Sequence, residues 1–332
     1  MLANSLDIKA ENENISYLEL KQKADAGMRK RISNSKKGEA AVLTVDSFNT
    51  MLVTGGFNEY SDGVQLEIAK RSIGDIKYKL TMQLENEFYS CLNADRKIVV
   101  AQEALSNAQE NERIAKARNE EGLIGAIETS SFSLAVVQAQ NDYNDAVSGR
   151  NYMYAELKQM MGYPADGDIT LTGAFERKPM SAVTLSTALV GLDKTVNKLN
   201  LDAGLKLQER LLNEYRSLYT GSMPDYQAQK FAYAKAESEY NENVGNLRLA
   251  VINTYNTMTS TYGKLDYLDK AIELKEQQAD AQKTSYELGL STASQYITTI
   301  QELDSLKLSL VDAEIGAYLT SKAYEMTFHP AE

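Results

Sequence analysis

The sequence predicts an all-α protein built from elongated antiparallel helical hairpins in a tandem duplication. Three observations lead to this fold class. The composition contains few residues that interrupt helices, the two halves of the chain match at a fixed offset, and apolar residues recur every seven positions. Together they indicate long, narrow helices that pack along coiled-coil seams.

Prolines are scarce and fall at the places where helices are expected to end. Only 4 of the 332 residues are proline, and the first of them is Pro164. A proline inside a helix removes a backbone hydrogen bond and clashes with the preceding turn. Long uninterrupted helices are therefore predicted before Pro164, and similarly between Pro224 and the last proline, Pro330.

The second half of the chain repeats the first without a gap. Adding 167 to the residue numbers places Leu80 on Leu247, Leu84 on Val251, Phe88 on Tyr255, Cys91 on Met258, Ile98 on Leu265, Leu105 on Ile272, Gly122 on Gly289 and Leu123 on Leu290. Such self-similarity marks a tandem duplication. We expect a first helical-hairpin repeat over residues 1–166, a linker rich in turn formers over 167–178, and a second hairpin repeat over 179–332.

Heptad spacing predicts where the long helices lie. Two equivalent stripes have this spacing: Leu84, Cys91, Ile98 and Leu105, and then Val251, Met258, Leu265 and Ile272. One helix is predicted over 64–118 and its equivalent over 225–286. At 1.5 Å per residue the first would be on the order of 80 Å long. A stripe this narrow must pack against other helices to be stable in water.

A glycine follows each long helix and is expected to begin a turn. Gly122 and Gly289 suit the position just past a helix, where a left-handed backbone costs glycine little. Helical patterning resumes a few residues later, so each repeat should contain a hairpin. The candidate caps for the returning helices are Thr129 or Ser130 in the first repeat, and Ser291 or Thr292 in the second.

The segment over residues 40–67 follows no single pattern. It contains several β-branched residues and the pair Gly55 and Gly56, which leaves open a short strand pair, a loop or a frayed helix. Its counterpart over 213–226 is predicted as a helix followed by a tight turn.

Charge and motifs argue against several classes of function. The net charge of -11 makes a nucleic-acid partner unexpected, because phosphate binding needs clustered Lys and Arg. Cys91 and His329 are the only residues of their types, which leaves no internal disulfide, no Cys-based zinc site and no His-containing di-iron site. Nucleotide-binding, hydrolase and zinc-protease motifs do not occur. We predict a protein that is not an enzyme and has no cofactor or metal.

The sequence contains no recognisable membrane helix or secretion signal. No apolar run reaches the roughly 18 to 20 residues that a spanning helix requires. The start, MLANSLDIKAENEN, lacks the basic residues and apolar core of a secretory signal. Two interpretations follow: a cytoplasmic protein, or an exported protein whose signal is absent from this sequence.

The turns and the end of the first repeat carry a family resemblance. The stretches EEGLIGAIETSSFSL and SYELGLSTASQYITTIQELDSL, together with LKQMMGYPADGDITL, resemble the TolC-like outer membrane efflux protein family. With the duplication, the resemblance covers nearly the whole chain. It implies a homotrimer whose hairpins form a hollow α-barrel, the exit duct of a tripartite efflux pump or type I secretion system.

The resemblance also implies the sites at which such a duct works. Its hairpin tips would dock an adaptor of the membrane fusion protein type, and through it an exporter of the ABC or RND type. The implied docking residues are Gly122, Leu123, Gly289, Leu290 and Ser291. The implied acidic residues of the lumen are Glu120, Glu121, Glu128 and Glu287, although a solvated helix face is the other interpretation of such residues.

Two departures from the family pattern accompany the resemblance. An acidic residue often follows six positions after each tip glycine, which Glu128 satisfies and Gln295 does not. Each family repeat also carries two membrane strands, for which almost no room remains here. We expect an exported protein of the cell envelope outside the cytoplasmic membrane, in the outer membrane if the source has one. A non-conducting structural coiled-coil scaffold of the envelope remains the alternative.

Overall fold

Helices make up almost all of the structure, a computed structural model that describes residues 5–35, 47–164, 167–172, 176–219 and 221–330. The helices are α1 (Leu6–Ser35), α2 (Ser47–Thr54), α3 (Phe57–Glu120), α4 (Ala126–Met161), α5 (Leu185–Gly191), α6 (Val196–Leu218), α7 (Pro224–Glu287) and α8 (Ala293–Thr327). A 3₁₀ turn over Leu192–Lys194 separates α5 from α6. No β-strand occurs within these ranges, and the all-α prediction is confirmed.

The helix bounds reproduce the offset of the sequence repeat. Helices α3 and α7 each contain 64 residues, and adding 167 to the bounds of α3 gives those of α7. Helices α4 and α8 begin at Ala126 and Ala293, again 167 apart. The tandem duplication and its two long hairpins are therefore confirmed, whereas the repeat and linker boundaries at 1–166, 167–178 and 179–332 stay a prediction.

The ambiguous segment is helical in the part that the structure describes. Helix α2 ends at Thr54, a turn follows in which Gly56 has φ 74°, and α3 begins at Phe57. Phe57 is buried. Tertiary packing therefore favours a helix here, where the local sequence was also compatible with a strand pair or a loop. Residues 40–46 lie outside the described residues. In the second repeat, the predicted helix and tight turn are confirmed, with Pro224 opening α7.

Two compact units make up the chain, and each draws on both repeats. Unit 1 comprises Met1–Thr81, Val183–Thr254 and Tyr324–Glu332. Its α1 packs on α3 through Leu18 and Leu66, and Lys21 pairs with the buried Asp62 at 2.8 Å. Apolar burial and a hydrogen-bonded charge pair thus hold α1 in place.

Unit 2 comprises Met82–Ala182 and Tyr255–Ala323, and contains both hairpin turns. Helix α3 contacts α4 through a cluster of Cys91, Tyr154 and Leu157, and contacts α8 through a cluster of Leu92, Ile315 and Tyr318. In the predicted stripes Cys91 and Met258 are fully buried, as is Val251 in unit 1. The stripes are therefore confirmed as packing seams, although Leu84, Ile98 and Ile272 are only half-buried.

Arg177, in the extended segment before α5, makes a network of ion pairs within unit 2. Arg177 forms a two-point ion pair with Asp269 at 2.7 and 2.9 Å, and donates to Glu314 at 2.8 Å. Glu314 is buried and also accepts from Arg96 on α3. Paired guanidinium groups compensate the desolvation of this carboxylate, so the linker, α3, α7 and α8 share one charge network.

Candidate functional site at the hairpin tips

Both hairpin turns adopt the same backbone geometry. Gly122 and Gly289 each have φ 73°. The N–H groups of Gly122 and Leu123 donate to the carbonyls of Asn119 and Arg118 at 3.0 and 2.8 Å, and those of Gly289 and Leu290 donate to Tyr286 and Ser285 at the same distances. This is the Schellman arrangement, which requires a left-handed residue just past the helix. The predicted role of both glycines is confirmed.

Helix α8 begins with a reciprocal cap. The N–H of Gln295 donates to Thr292 Oγ1 at 3.3 Å, and the N–H of Thr292 donates to Gln295 Oε1 at 3.0 Å. A Thr followed three residues later by Gln is the sequence signature of this capping box. Of the two candidates, Thr292 is therefore the cap.

Helix α4 begins at Ala126, before both of its candidate caps. Gly125 precedes its first residue and offers no side-chain bond. Thr129 and Ser130 lie inside the helix, where their hydroxyls donate to the carbonyls of Gly125 and Ala126 at 3.2 and 2.9 Å. The prediction that either residue caps α4 was wrong, because hydroxyl residues also occur within a first turn.

A carboxylate of the first hairpin caps the helix of the second. The N–H of Ala293, the first residue of α8, donates to Glu128 Oε1 at 3.2 Å. The first amides of a helix lack partners within it, and its N-terminus favours negative charge. Glu128 and Gln295 occupy equivalent positions in the two repeats, yet Gln295 caps its own helix while Glu128 joins the two hairpins.

Aromatic residues fill the space between the two hairpins beneath the turns. Phe132 of α4 lies 5.6 Å from Tyr286 of α7, and Tyr286 stacks on Tyr296 of α8 at 5.6 Å between ring centroids. All three are buried, and Arg118 lies 4.7 Å above the ring of Tyr286. Burial raises the pKa of the Tyr286 hydroxyl, and the charge of Glu128 raises it further.

Leucine side chains project from the turns into solvent. Leu123 and Leu290 are 63% and 78% exposed, and Ile127 and Leu288 beside them are also exposed. The structure thus places the predicted docking residues Gly122, Leu123, Gly289 and Leu290 at the surface of the two tips. Ser291 differs, since it is half-buried and its hydroxyl oxygen is enclosed. An apolar surface displayed on rigid turns is typical of an interaction site.

The four predicted acidic residues have two different environments. Glu120 is the last residue of α3, Glu121 follows it in the turn, and Glu287 is the last residue of α7; all three are exposed. Glu128 is half-buried because it bonds to α8. Carboxylates at a helix C-terminus face the negative end of the dipole, so the three exposed residues concentrate negative charge next to the turns.

Helices α4 and α7 each carry exposed apolar residues at heptad spacing. On α7, Tyr267 and Leu274 lie seven residues apart and are exposed, and α4 exposes Ile127 and Leu134 seven residues apart. Coiled-coil spacing on an exposed face indicates a surface suited to another helix. The sequence contained this signal, because the stripes repeat every seven residues like the buried ones.

Within the described residues, no helix is both long and apolar enough to span a membrane. Nor does that part of the chain contain a group of three or more His, Cys, Asp or Glu residues that could hold a metal ion.

Comparison with solved structures relates this geometry to known channels. No protein-family model and no curated protein matches the sequence. The chain is similar to a membrane protein from Pseudomonas aeruginosa, with a TM-score of 0.79 and 10% identity over 99% of this chain and 88% of that chain. It is also similar to CusC, whose description concerns transmembrane channel formation, with a TM-score of 0.78 and 9% identity over 99% and 90% of the two chains. The chain has a TolC-like fold.

A third structure extends this comparison to a named outer-membrane channel. OprN matches with a TM-score of 0.69 and 11% identity, over 95% of this chain and 86% of that chain. Each of these three matches covers at least 95% of this chain, and so includes both hairpins. At this identity the likeness concerns the fold alone.

Proposed function

We propose that the chain is one subunit of a homotrimeric exit duct, serving a tripartite efflux pump or a type I secretion system in the cell envelope outside the cytoplasmic membrane. The observation that carries this proposal is the pair of matching glycine turns that display leucines at the ends of two long hairpins in a TolC-like fold. The duct is passive, so the exporter selects the substrate and supplies the energy.

Docking through the tips is supported by the rigidity and apolar character of the turns. The docking residues are Gly122, Leu123, Gly289, Leu290 and Ser291, and the partner is an adaptor of the membrane fusion protein type that contacts an ABC or RND exporter. The backbone at Leu123 and Leu290 is already held by Schellman bonds, so docking would order little additional backbone. Small apolar anchors on a fixed backbone suit a complementary tip on the adaptor.

A closed ring of subunits is supported by the exposed stripes on α4 and α7. The two stripes are different surfaces of one chain, so a contact of α4 in one copy with α7 in the next is head-to-tail. Such contacts form a ring where the rotation closes. Burial of residues such as Leu134 and Leu274 would stabilise the ring by about 1.5 to 3 kcal/mol for each side chain.

Passage through the tips requires the two hairpins to separate. The bond from Ala293 to Glu128 and the contact of Phe132 with Tyr286 hold α4 against α7 and α8. We assign these contacts to the closed state. The exposed carboxylates Glu120, Glu121 and Glu287 would then give the entrance a negative charge that favours cations, with Glu128 joining them when the hairpins separate.

Oligomeric mass tests the ring directly. Light scattering on the purified chain is expected to give three times the chain mass of 36.9 kDa. Leu134→Asp and Leu274→Asp should each reduce the mass toward one subunit, whereas Leu20→Asp, on the exposed face of α1, should not. A stable monomer or dimer of the unaltered chain would contradict the duct and favour the non-conducting scaffold.

Adaptor binding tests the tips separately. With an adaptor of the membrane fusion type from the same source immobilised on a sensor, the double variant Leu123→Asp, Leu290→Asp should bind at least about tenfold more weakly than the unaltered chain. Leu20→Asp should bind normally. Equal binding by the tip variant would exclude the proposed docking residues.

A further inference from the structure

A cavity of about 540 Å³ opens between α3, α4 and α8, away from the tip leucines. Its size lies within the usual range for pockets that hold small organic molecules. Most of its lining is apolar, including Ala104 on α3, Ala135 on α4 and the larger Ile297, Ile300 and Leu308 on α8. The short alanine side chains of α3 and α4 leave open space beside the larger side chains of α8.

The charge of this cavity has one sign. Two aspartates, Asp142 of α4 and Asp304 of α8, are part of the lining, and among the described residues that line it there is no Lys or Arg. Asp142 accepts from Gln138 at 2.9 Å. An apolar cavity with two carboxylates is complementary to a ligand that combines an apolar body with a positive charge.

Asp304 is the carboxylate that such a ligand would neutralise. Within the described residues, Asp304 accepts no hydrogen bond and forms no ion pair. Burial raises its pKa to about 6. Lys307, one turn further along α8, is already paired with Glu276 at 3.1 Å. Burying a carboxylate without an oppositely charged partner is unfavourable. A cation that enters the cavity would therefore offset the desolvation of Asp304.

We propose that the cavity lined by Ala104, Ala135, Ile297 and Asp304 is a binding site for organic cations with an apolar body. A metal ion fits it less well, because hard cations require six or more oxygen ligands and this lining is mainly hydrocarbon. The site lies within a single chain. It therefore does not depend on conduction or on the proposed docking of an adaptor.

Tetraphenylphosphonium and tetraphenylborate provide matched probes of opposite charge and nearly equal shape. In isothermal titration calorimetry at pH 7.5, the full chain should bind the phosphonium saturably at one site per chain and should bind the borate at least about tenfold more weakly. Asp304→Asn should weaken phosphonium binding by about tenfold, which is the scale of one partly buried ion pair. Asp266→Asn, the same change at an exposed position of α7, should leave it unchanged.

The pH dependence of phosphonium binding shows whether the charge of Asp304 contributes to the affinity or whether apolar contact alone accounts for it. Phosphonium affinity should fall between pH 7 and pH 5 as Asp304 becomes protonated, and Asp304→Asn should lose this dependence. The other charged groups that face Asp304 are Glu103 of α3, Asp142 of α4 and Lys307 of α8. Equal affinity for both probes, or an unaltered affinity in Asp304→Asn, would overturn the proposal.

Comparing the assembled protein with a dissociated variant tests whether the cavity is open in the oligomer. If a second copy covered the cavity, the assembled protein would not bind the phosphonium, while a dissociated Leu274→Asp variant would. That result would also overturn the proposal and would assign the cavity to an interface between copies.

Discussion

Glu128 of the first hairpin accepts a hydrogen bond from the backbone N–H of Ala293, the first residue of the returning helix of the second hairpin. The two residues are 165 positions apart in the chain. This bond and the rings of Phe132, Tyr286 and Tyr296 below it join the two repeats at their tips. The duplicated hairpins are thus held together by Glu128, whereas the equivalent Gln295 of the second repeat bonds to Thr292 of its own turn.

Removing the Glu128 side chain should weaken the contact between the hairpins. Glu128→Ala is expected to lower the free energy of unfolding by about 1 kcal/mol, the usual effect of losing a helix cap. Urea unfolding followed by circular dichroism would measure it. Glu121→Ala, which removes an exposed carboxylate near the same tips, should change the free energy by less than about 0.5 kcal/mol. Equal effects of the two variants would show that the bond to Ala293 does not contribute to stability.

The tip glycines should not tolerate alanine. Gly122→Ala and Gly289→Ala place a side chain at φ 73°, which costs about 1 to 2 kcal/mol from backbone strain. No heavy atom lies within 4 Å of an added Cβ at either position, so the loss would come from the backbone conformation. The same urea experiment measures it.

Gly245 provides the matched control for those glycines. It lies inside α7, again with no atom within 4 Å of an added Cβ, but without a positive φ. Gly245→Ala should stabilise the chain by about 0.5 to 1 kcal/mol, because alanine loses less entropy in a helix. A similar loss in all three variants would contradict the role of the left-handed turn.

The glycine turns and the bond of Glu128 to Ala293 differ in how far the sequence can predict them. Gly122 and Gly289 were predictable because a glycine after a long helical pattern has a local meaning, and the repeat shows it twice. The bond of Glu128 was not, because it depends on how α4 and α8 lie against one another. The capping box at Thr292 is a local pattern that the sequence shows, whereas Thr129 or Ser130 was predicted wrongly because hydroxyl residues also occur inside the helix start.

Loss of Arg177 should destabilise unit 2 in a pH-dependent manner. Arg177→Met removes the partner of Asp269 and one of two partners of the buried Glu314, and should destabilise unit 2 by about 1 to 3 kcal/mol at pH 7. Thermal unfolding over a pH series would measure the difference between the variant and the unaltered chain.

The sign of that dependence follows from Asp269. The hydrogen bond from Arg177 lowers its pKa below 3.8, so the folded state holds its proton less tightly than the unfolded chain. The stabilisation is present above pH 3.8 and is lost as the pH falls through the lowered pKa. Arg177→Met should therefore differ most from the unaltered chain above pH 4, and the difference should narrow in stronger acid. A difference that widens in acid would contradict the ion pair.

The thiol of Cys91 should be unreactive in the folded chain. Its side chain is fully buried, and burial raises its pKa to about 12, with the charges of Glu87 and Asp95 acting in the same direction. A thiolate is required for disulfide exchange, so an aromatic disulfide reagent at pH 8 should label less than one tenth of the protein within minutes, roughly as expected for an inert buried thiol.

Denaturation provides the control for that thiol. In concentrated urea the same cysteine should react completely at the same pH, which shows that the reagent and the thiol are competent. The rate of labelling in the native chain should then increase in Leu157→Ala, since Leu157 packs on Cys91 between α3 and α4. Fast labelling of the unaltered chain would mean that this seam opens readily. Equally slow labelling of the unaltered chain and of Leu157→Ala would mean that packing of Leu157 does not control access to the thiol. The reactivity of one buried atom therefore reports on the packing of the predicted heptad stripe, in which Cys91 occupies the second position.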